Sequence, residues 1–364
     1  MTKQGAAGWL LHDVKNRGVT AWLVAALLTG FYIALYFTES FAPVARAVGL
    51  ANKWDLYGAL YTIAVVAGGI HVIRKYAHNR YQVIRTAVVM IVQITLGFSI
   101  PQLLKVLHQP EYYFSYLWPL KLDYFNPGYI FSLPLPYILY SFAGSLLLVP
   151  ILGLFFGKRW YCSWICGCGG LANTFGEPWR HLSDKSTASW RFEKMAIHSV
   201  LVITLVLTGL LFASYGAGKR YPELQAATVQ FQTFYGLIVS SVLAGIVGVG
   251  LYPLGGTRVW CRFFCPMAAV LGLVQKAGRY RIAVKENMCI SCGMCSKYCE
   301  MGIDVRAYAQ ANESFTRASC VGCGLCAEVC PRGVLRLENV RATAPQTQML
   351  VQITGGAFPP ERPN

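Results

Sequence analysis

Charged residues are scarce in this chain of 364 residues: Asp, Glu, Lys and Arg make up 13%, whereas hydrophobic residues make up 55%. Soluble domains carry roughly 25% charged residues. The shortage excludes a disordered chain and argues against a single soluble globule. Acidic residues are the scarcest, with 16 against 32 basic ones. In so apolar a chain this surplus is better explained by membrane sidedness than by nucleic acid, and we predict no nucleic-acid partner.

Several signatures of catalysis are also missing from the sequence. It contains no Gly-rich phosphate loop and no Ser-His-Asp grouping, and the pair Gly169-Gly170 lacks the spacing of a dinucleotide fingerprint. The sequence therefore predicts no catalytic residue, and enzymatic activity stays an open question.

Long uncharged runs are plentiful instead. A membrane helix needs roughly 20 apolar residues, and six windows contain no Asp, Glu, Lys or Arg: 19–38, 56–73, 86–104, 124–157, 195–218 and 224–257. We predict an α-helical membrane bundle of six transmembrane helices in contact with lipid. The Pro- and aromatic-rich run 112–137 is expected at headgroup depth.

Basic residues predict the orientation. With both chain ends inside, 13 Lys and Arg fall in segments 1–18, 74–85 and 158–194, against 6 in the three outside loops. The positive-inside rule therefore predicts an inner-membrane protein with cytoplasmic ends and all 13 cysteines on the cytoplasmic side, where thiols stay reduced. A signal peptide cleaved at Ala45-Arg46-Ala47 is disfavoured, because the first apolar run exceeds the roughly 7–15 residues of a signal core.

Two cysteine motifs near the C-terminus predict iron–sulfur clusters. Residues 289–299 read CISCGMCSKYC and residues 320–330 read CVGCGLCAEVC, each with the spacing C-x2-C-x2-C-x3-C. In this bacterial ferredoxin pattern three close cysteines hold one [4Fe–4S] cluster and the fourth reaches the other. We predict one cluster on Cys289, Cys292, Cys295 and Cys330, and another on Cys320, Cys323, Cys326 and Cys299.

Smaller features of these motifs refine the prediction. Gly293 and Gly324 allow the loops to turn sharply. Structural zinc is disfavoured because it prefers two C-x2-C pairs with a longer spacer. Glu300 stands where a proline is expected after Cys299, so we expect the cluster held by Cys299 to be less shielded.

A second pair of cysteine motifs forms an internal repeat. Residues 157–166 (GKRWYCSWIC) align with 256–265 (GTRVWCRFFC) at an offset of 99, and each follows a long apolar window. The repeat predicts two loops side by side at the cytoplasmic membrane surface. They could hold a third metal centre on four cysteines, with a fifth as candidate or substitute: Cys162, Cys166, Cys261, Cys265 and Cys168.

The alternative for these loops is equally open. Cysteines spaced C-x3-C share one face of a helical turn, and free thiols near membranes serve as packing or thiol-redox residues. Arg159 and Arg258 are interpreted as topology signals, with Trp160, Trp164 and Trp260 as interfacial anchors.

With these motifs the chain resembles the membrane polyferredoxins, a group that includes NapH, the membrane core of NosR and the FixG-like oxidase assembly proteins. The resemblance covers residues 80–340 and rests on the C-x3-C loops combined with the twin ferredoxin motifs. It implies electron transfer between a quinone pool or cytoplasmic donor and a redox partner, with the C-x3-C cysteines in that path. Gly167-Cys168 departs from the proline that usually follows Cys166, so the first loop is expected to differ in chemistry.

Other polar residues carry weaker signals. His71 and His198 lie at matching depth, but lone membrane histidines more often bond a neighbouring helix, so haem b is disfavoured. Gln93 is better explained by helix pairing than by a quinone. His108 and Glu111, near the outer end of the third helix, are the preferred quinone candidates, since quinol oxidation needs a nearby proton acceptor.

These observations predict the domain organisation and function. We expect a cytoplasmic segment at 1–18, a membrane domain at 19–280 with loops at 158–194 and 258–280, and an α+β ferredoxin module at 281–340 whose first strand is 281–285. A flexible tail follows at 341–364. The predicted function is electron relay to or from a reductase, cytochrome or ferredoxin partner, with quinol oxidation as an open possibility. The alternative is a redox-driven assembly or regulatory factor for a respiratory metalloenzyme.

Overall fold

The computed structural model describes the backbone of residues 8–340 and the side chains of residues 18–340 except that of Lys219. The predicted N-terminal segment is therefore described only from Gly8. The predicted flexible tail, 341–364, lies outside the described residues.

Six helices in the described part are long and apolar enough to cross a membrane, which confirms the predicted number. Their outward faces expose large aliphatic side chains such as Leu27, Ile63 and Val202, as expected of surfaces that meet lipid. In chain order these membrane helices are Gly18–Phe37, Lys53–Lys75, Arg80–Val106, Leu135–Phe156, Thr187–Ala217 and Pro222–Gly250.

Shorter helices connect the spans and form the C-terminal part. The first membrane helix continues a helix that starts at Gly8 and is kinked at Gly18. Three membrane helices contain π-helical turns, at Gln93–Ser99, Gly144–Leu148 and Gly236–Gly250. The remaining helices are Phe41–Ala47, Leu122–Phe125, Pro127–Ile130, Arg159–Cys162, Gly167–Asn173, Glu177–Leu182, Gly218–Arg220, Tyr252–Gly255, Trp260–Phe264, Pro266–Lys276, Met294–Lys297, Val305–Gln310 and Leu325–Glu328.

The segment between the third and fourth membrane helices folds into the bundle. Tyr112 and Tyr124 are fully buried and stack with ring centroids 4.2 Å apart. The Tyr161 hydroxyl, at the first C-x3-C motif, donates a hydrogen bond of 2.8 Å to the Ser115 carbonyl. The aromatic rings of this segment, which was expected at headgroup depth, pack between the helix ends against residues such as Leu104 and Tyr137.

The C-terminal module is a small α+β unit. Strand β1 (Tyr280–Val284) pairs antiparallel with β2 (Leu335–Asn339), with Ile282 opposite Leu337. Strand β1 was predicted at 281–285, so it begins and ends one residue earlier than predicted. One continuous apolar core extends from membrane-domain residues such as Val149 and Met267 to module residues such as Ile303 and Leu335. The module is thus packed directly onto the membrane domain.

Candidate metal centres

The two ferredoxin motifs adopt the same backbone conformation. Gly293 and Gly324 have φ of 74° and 76°, and each starts a short helix that contains the third cysteine of its motif. Ser291 and Gly322, at equivalent positions, have φ of 60° and 61°. Left-handed residues let the chain turn between closely spaced cysteines. The structure therefore places the two loops as the motif spacing suggested.

The fourth cysteine of each motif accepts an equivalent backbone hydrogen bond. The Ile303 N–H donates to Cys299 Sγ at 3.4 Å, and the Val334 N–H donates to Cys330 Sγ at 3.4 Å. Backbone N–H groups directed at sulfur stabilise thiolates and influence the potential of a bound cluster.

The first predicted ligand set surrounds one cavity at the far end of the module. Cys289, Cys292, Cys295 and Cys330 all line it, together with Arg306 and Arg332. Cys292 is exposed to solvent. We call these four cysteines the outer set.

The second predicted set lies between the outer set and the membrane domain. Burial raises the pKa of Cys299 to about 12, and nearby Cys323 and Cys320 contribute to the shift. Burial likewise raises the pKa of Cys326, with Cys323, Cys320, Cys299 and Cys295 as electrostatic neighbours. The structure thus brings together the predicted inner set, Cys299, Cys320, Cys323 and Cys326.

The C-x3-C loops bring four buried cysteines together. Cys162, Cys166, Cys261 and Cys265 are each at most 6% exposed. Burial raises the pKa of Cys265, and the other three cysteines all contribute electrostatically. We call these four residues the deep set.

The second cysteine of each loop caps a helix. Cys166 precedes Gly167–Asn173, and Cys265 precedes Pro266–Lys276. Cys265 Sγ accepts a hydrogen bond of 3.4 Å from the Ala268 N–H, and the equivalent Gly169 N–H bonds Cys166. A helix N-terminus stabilises negative charge. The repeat therefore places two sulfurs at helix N-termini, where the backbone N–H groups oppose the effect of burial on the thiol pKa.

The first loop reaches well inside the helical bundle. Gln93, near the middle of the third membrane helix, donates a hydrogen bond of 2.7 Å to the Ile165 carbonyl, and the Tyr61 hydroxyl donates one of 2.7 Å to the Gly167 carbonyl. The first loop thus lies deeper among the helices than the repeat in the sequence indicates. The loop enters because Gly169 lets it fold tightly: a Cβ there would lie 1.9 Å from the Cys162 carbonyl oxygen.

Cys168 has different surroundings from the deep set. Its thiol hydrogen-bonds Cys166 and lowers the pKa of Cys166 to about 7, with the Gly169 and Cys168 N–H groups adding to the effect. At the repeat offset of 99 its counterpart is Met267, which cannot supply a thiolate. One of its electrostatic neighbours is Tyr116, from the segment that folds into the bundle.

A fully buried carboxylate lies between the inner and deep sets. Glu300 Oε1 is 3.0 Å from Arg258 Nη2, and Glu300 Oε2 is 3.8 Å from Arg180 Nη2. Burial alone would raise the pKa of Glu300, but the guanidinium groups of Arg258, Arg180 and Arg85 together hold it below its usual range.

Two expectations are therefore corrected. Arg258 was interpreted as a topology signal, but it is 0% exposed and donates to the Cys162 carbonyl at 3.2 Å and to Cys261 Sγ at 3.6 Å. Glu300 was expected to leave its cluster less shielded, but its side chain is completely buried because the arginines enclose it.

Two further buried cations complete this region. Arg85 Nη1 donates a hydrogen bond of 2.9 Å to the Cys323 carbonyl, and Lys158 Nζ donates one of 3.3 Å to the Ala318 carbonyl. Burial raises the pKa values of Cys162 and Cys320, and the Lys158 ammonium opposes the shift at both. We call Lys158, Arg85, Arg180, Arg258 and Glu300 the charged bridge.

The net charge of the charged bridge indicates whether the cysteine sets fit iron–sulfur clusters. It holds four cations and one carboxylate, all at most 1% exposed. An isolated buried charge costs on the order of tens of kcal/mol, so an excess of cations requires anions nearby. A [4Fe–4S] cluster with four thiolates is negatively charged, so the inner and deep sets fit such clusters better than they fit neutral thiols. Among residues 18–340, no three potential ligands converge on a point that could hold a single metal ion; a cluster spreads its ligands around a four-iron cube.

The other candidate residues lie elsewhere. His71, His108 and His198 have exposed side chains, and His198 Nδ1 contacts the Lys194 carbonyl at 2.6 Å. Glu111 accepts a hydrogen bond from Tyr113 and pairs with Lys105 at 3.4 Å. In the part of the chain that the structure describes, no contact joins the two candidate haem histidines or joins His108 to Glu111. Gln93 bonds protein groups, as helix pairing predicted.

Sequence reasoning missed the charged bridge as a unit. One feature of the sequence could have indicated it. Acidic residues are scarce in this chain, so a glutamate directly after Cys299 is unusual. Its partners come from four separate segments, and their convergence depends on the docking of the module.

Comparison with known proteins agrees with this geometry. A family model described as a 4Fe-4S dicluster domain matches residues 282–337. A second, described as a 4Fe-4S binding domain, matches twice, at 139–184 and 237–285. These two matches contain the two C-x3-C loops, which confirms the internal repeat.

Curated relatives share the same region. The chain is 26% identical to the putative electron transport protein YccM of Escherichia coli (41% of this chain, 43% of the relative). It is 27% identical to the regulatory protein NosR of Pseudomonas aeruginosa (50% and 25%) and 30% identical to the methylamine utilization ferredoxin-type protein MauN of Methylorubrum extorquens (42% and 51%).

The chain is similar to ferredoxin-type 4Fe–4S membrane proteins. The resemblance to NosR-like and NapH-like proteins is thereby confirmed, as is the binding of iron–sulfur clusters. The matches to these ferredoxin-type relatives span about a quarter to a half of each relative's length. No solved structure matches the chain.

Proposed function

We propose that this protein relays electrons between a soluble cytoplasmic redox partner and the membrane interior, where the quinone pool is the exchange partner. When bound, 4Fe–4S clusters accept and release single electrons. The observation that carries the proposal is the order of the three cysteine sets, which form a series from solvent to the middle of the bundle.

Successive sets are neighbours in this series. The outer set begins at exposed Cys292 and meets the inner set where Cys295 lies near Cys326. The inner set meets the deep set across the charged bridge, since Lys158 acts on both Cys320 and Cys162. The deep set ends beside Tyr61 and Gln93, inside two membrane helices.

The ligand assignments are part of this proposal. The outer and inner sets each hold one [4Fe–4S] cluster, and the deep set holds a third. The helix N-termini at Cys166 and Cys265 and the second family match support the third centre. The excess of Lys and Arg in segments 1–18, 74–85 and 158–194 supports cytoplasmic chain ends in an inner membrane.

The membrane-facing end differs from the sequence prediction. His108, the candidate from the sequence, is exposed and lies in a left-handed turn with φ of 54°. On the membrane side, the Tyr61 hydroxyl and the Gln93 amide donate hydrogen bonds to the Gly167 and Ile165 carbonyls of the loop that carries Cys166. We therefore place quinone exchange on the side of the bundle formed by the second and third membrane helices.

The experiment uses anaerobically purified full-length protein in detergent. Iron is counted, the protein is reduced with dithionite, and excess reductant is removed. Electron paramagnetic resonance then follows the cluster signals after addition of a water-soluble quinone analogue. We expect about 12 irons per chain for three cubanes and rapid loss of the reduced signals.

A matched pair of variants makes the test specific. Cys261→Ser removes one deep-set thiol and should slow quinone-dependent oxidation, while the outer and inner signals remain. Cys168→Ser changes a neighbouring thiol outside the deep set. In this variant the quinone analogue should oxidise the reduced clusters at the same rate as in the unmodified protein. Full-rate oxidation in Cys261→Ser, or about 8 irons in the unmodified protein, would overturn the role of the deep set.

A second candidate function follows from one relative. NosR is described as a regulatory protein and is 27% identical over half of this chain. A redox-responsive regulator or assembly factor would use the same cysteine sets to reduce a partner enzyme. It predicts that reduced signals persist with quinone and disappear only when the partner enzyme is added.

A further inference from the structure

The charged bridge is the feature that the electron-relay proposal leaves unexplained. Its five side chains are at most 1% exposed and lie between the inner and deep sets. In the described part of the chain, Arg180 Nε and Nη1 and Arg85 Nε and Nη2 have no hydrogen-bond partner. Buried guanidinium groups normally satisfy their donors, so these four donors indicate that the region is arranged for charge rather than for hydrogen bonding.

Glu300 occupies a particular place among these cations. It follows Cys299 of the inner set directly. Its carboxylate contacts Arg258, which itself contacts Cys261 Sγ of the deep set. The Glu300 carbonyl accepts a hydrogen bond of 2.6 Å from Ser183 Oγ, so the backbone is fixed from the membrane-domain side. One negative charge is thus held between two cysteine sets, with the three guanidinium groups of Arg258, Arg180 and Arg85 around it.

The sign of the effect follows from electrostatics. A nearby cation stabilises the more negative, reduced form of a cluster and raises its reduction potential, whereas a nearby anion lowers it. Both effects are strong in a buried region because the effective dielectric constant is low. The four cations therefore raise the potentials of the inner and deep centres, and Glu300 opposes them.

We propose that Glu300 is a positioning residue that sets the reduction potentials of the inner and deep centres together, through the arginines on either side of it. The inference rests on the proposed function, since it concerns the clusters that this function requires. Its effect is greatest at the inner set, beside Cys299, and reaches the deep set through Arg258. The shared carboxylate keeps the two centres close enough in potential for electrons to pass in either direction.

The test is a redox titration of the anaerobic full-length protein, followed by electron paramagnetic resonance, with iron counted in every variant. Glu300→Gln removes the negative charge and should raise the potential of the inner centre most and that of the deep centre less. Arg258→Met removes a cation beside Cys261 and should lower both, the deep centre most. The double variant should return both potentials toward those of the unmodified protein.

Control variants separate this role from a structural one. Glu338→Gln makes the same chemical change in the same module, but Glu338 pairs with Arg281 at 3.3 Å on a half-exposed surface. Solvent screens that charge, so both potentials should stay unchanged. Glu300→Asp keeps the charge and should restore the potentials wherever Glu300→Gln changes them.

Potentials in Glu300→Gln equal to those of Glu338→Gln, at full iron content, would overturn the inference. If Glu300→Gln alone does not retain iron, the double variant decides: potentials equal to those of Arg258→Met overturn the inference, and potentials raised above them support it. Electron transfer to quinone is measured separately. If Glu300→Gln shifts the reduction potentials but no electrons are transferred to quinone, the result counts against the proposed function. If electrons are transferred to quinone but the potentials do not shift, the result counts against the role of Glu300.

Discussion

Cys166 and Cys168 are separated by one residue and yet have different partners. Cys166 lies before a helix whose Gly169 N–H bonds its sulfur, and its counterpart at the repeat offset is Cys265. Cys168 lies one position inside that helix, and its counterpart is Met267. A helix N-terminus favours the thiolate form that a metal requires, so we expect position, rather than residue type, to decide which of the two cysteines is a ligand.

This difference predicts opposite outcomes for two serine variants. Cys166→Ser should lower the iron content from about 12 to about 8 per chain, because a deep-set cubane loses a ligand. Cys168→Ser should keep about 12 irons, since it removes only a hydrogen bond to Cys166. Iron and acid-labile sulfide assays on anaerobic protein provide the measurement. Equal iron loss in both variants would mean that Cys168 is itself a ligand.

At the residue scale, the sequence predicted the outer and inner sets but not the charged bridge. Close cysteine spacing limits the local backbone conformation, and Gly293 and Gly324 adopt the left-handed turns that the motif requires. The partners of Glu300, in contrast, lie 42, 120 and 215 positions away along the chain (Arg258, Arg180 and Arg85). Hydropathy assigns such arginines to the membrane edge, because it does not detect a buried anion that pairs with them.

At the scale of elements, helix Pro266–Lys276 connects the membrane domain to the module. Gln275 near its end is completely buried. Its Oε1 accepts a hydrogen bond of 2.6 Å from the Lys158 N–H, while its Nε2 donates to the Arg317 and Cys320 carbonyls at 2.7 and 3.0 Å. One amide therefore fixes the loop of Cys162 and the loop of Cys320 relative to each other.

We expect Gln275→Leu to weaken the docking of the module. The change leaves one N–H and two carbonyl groups without these bonds, at a cost of about 1–3 kcal/mol for each buried group that stays unsatisfied. Hydrogen exchange measured by mass spectrometry should become faster in 315–323. Gln310→Leu is the control, because exposed Gln310 bonds only Ser291 Oγ among the described residues. Unchanged exchange in Gln275→Leu would show that other contacts suffice to hold the module.

The six membrane helices could be predicted because their signal is local: each span is an uncharged run of sufficient length. The depth of the first C-x3-C loop could not be predicted, since it depends on Tyr61 and Gln93 from two other helices. The burial of Tyr112 and Tyr124 could not be predicted for a related reason. Aromatic residues suit both the headgroup region and a buried core, and only the surrounding helices decide between them.

At the scale of the whole molecule, the exposed end of the series carries positive charge. Arg306 and Arg332 line the cavity of the outer set, and Lys297 is exposed nearby in sequence. Complementary charges accelerate the encounter of redox proteins and make its rate depend on salt. We therefore expect the soluble partner to present an acidic surface, as in electron exchange with an acidic ferredoxin or flavodoxin.

Reversing these charges should slow electron exchange with such a partner. The double variant Arg306→Glu and Arg332→Glu should reduce the rate at low salt about 10-fold or more and weaken its salt dependence. Stopped-flow mixing with an acidic ferredoxin over a series of ionic strengths gives both quantities. Arg46→Glu, an exposed change between the first two membrane helices, should leave them unaltered. A rate independent of salt in the unmodified protein would contradict docking at the outer set.

The two C-x3-C loops have a consequence for the origin of the deep set. Each loop supplies two of its four cysteines, so a protein with one copy could build this site only by pairing with a second copy of itself about a twofold axis. Fusion of the copies into one chain removes that requirement for symmetry. The halves are then free to diverge: Gly167 accommodates the Tyr61 and Tyr116 hydroxyls, whereas the other copy keeps Pro266 and places Arg258 against Glu300. A symmetric pair would present identical surroundings on both sides of the deep set, whereas in this chain the two sides differ.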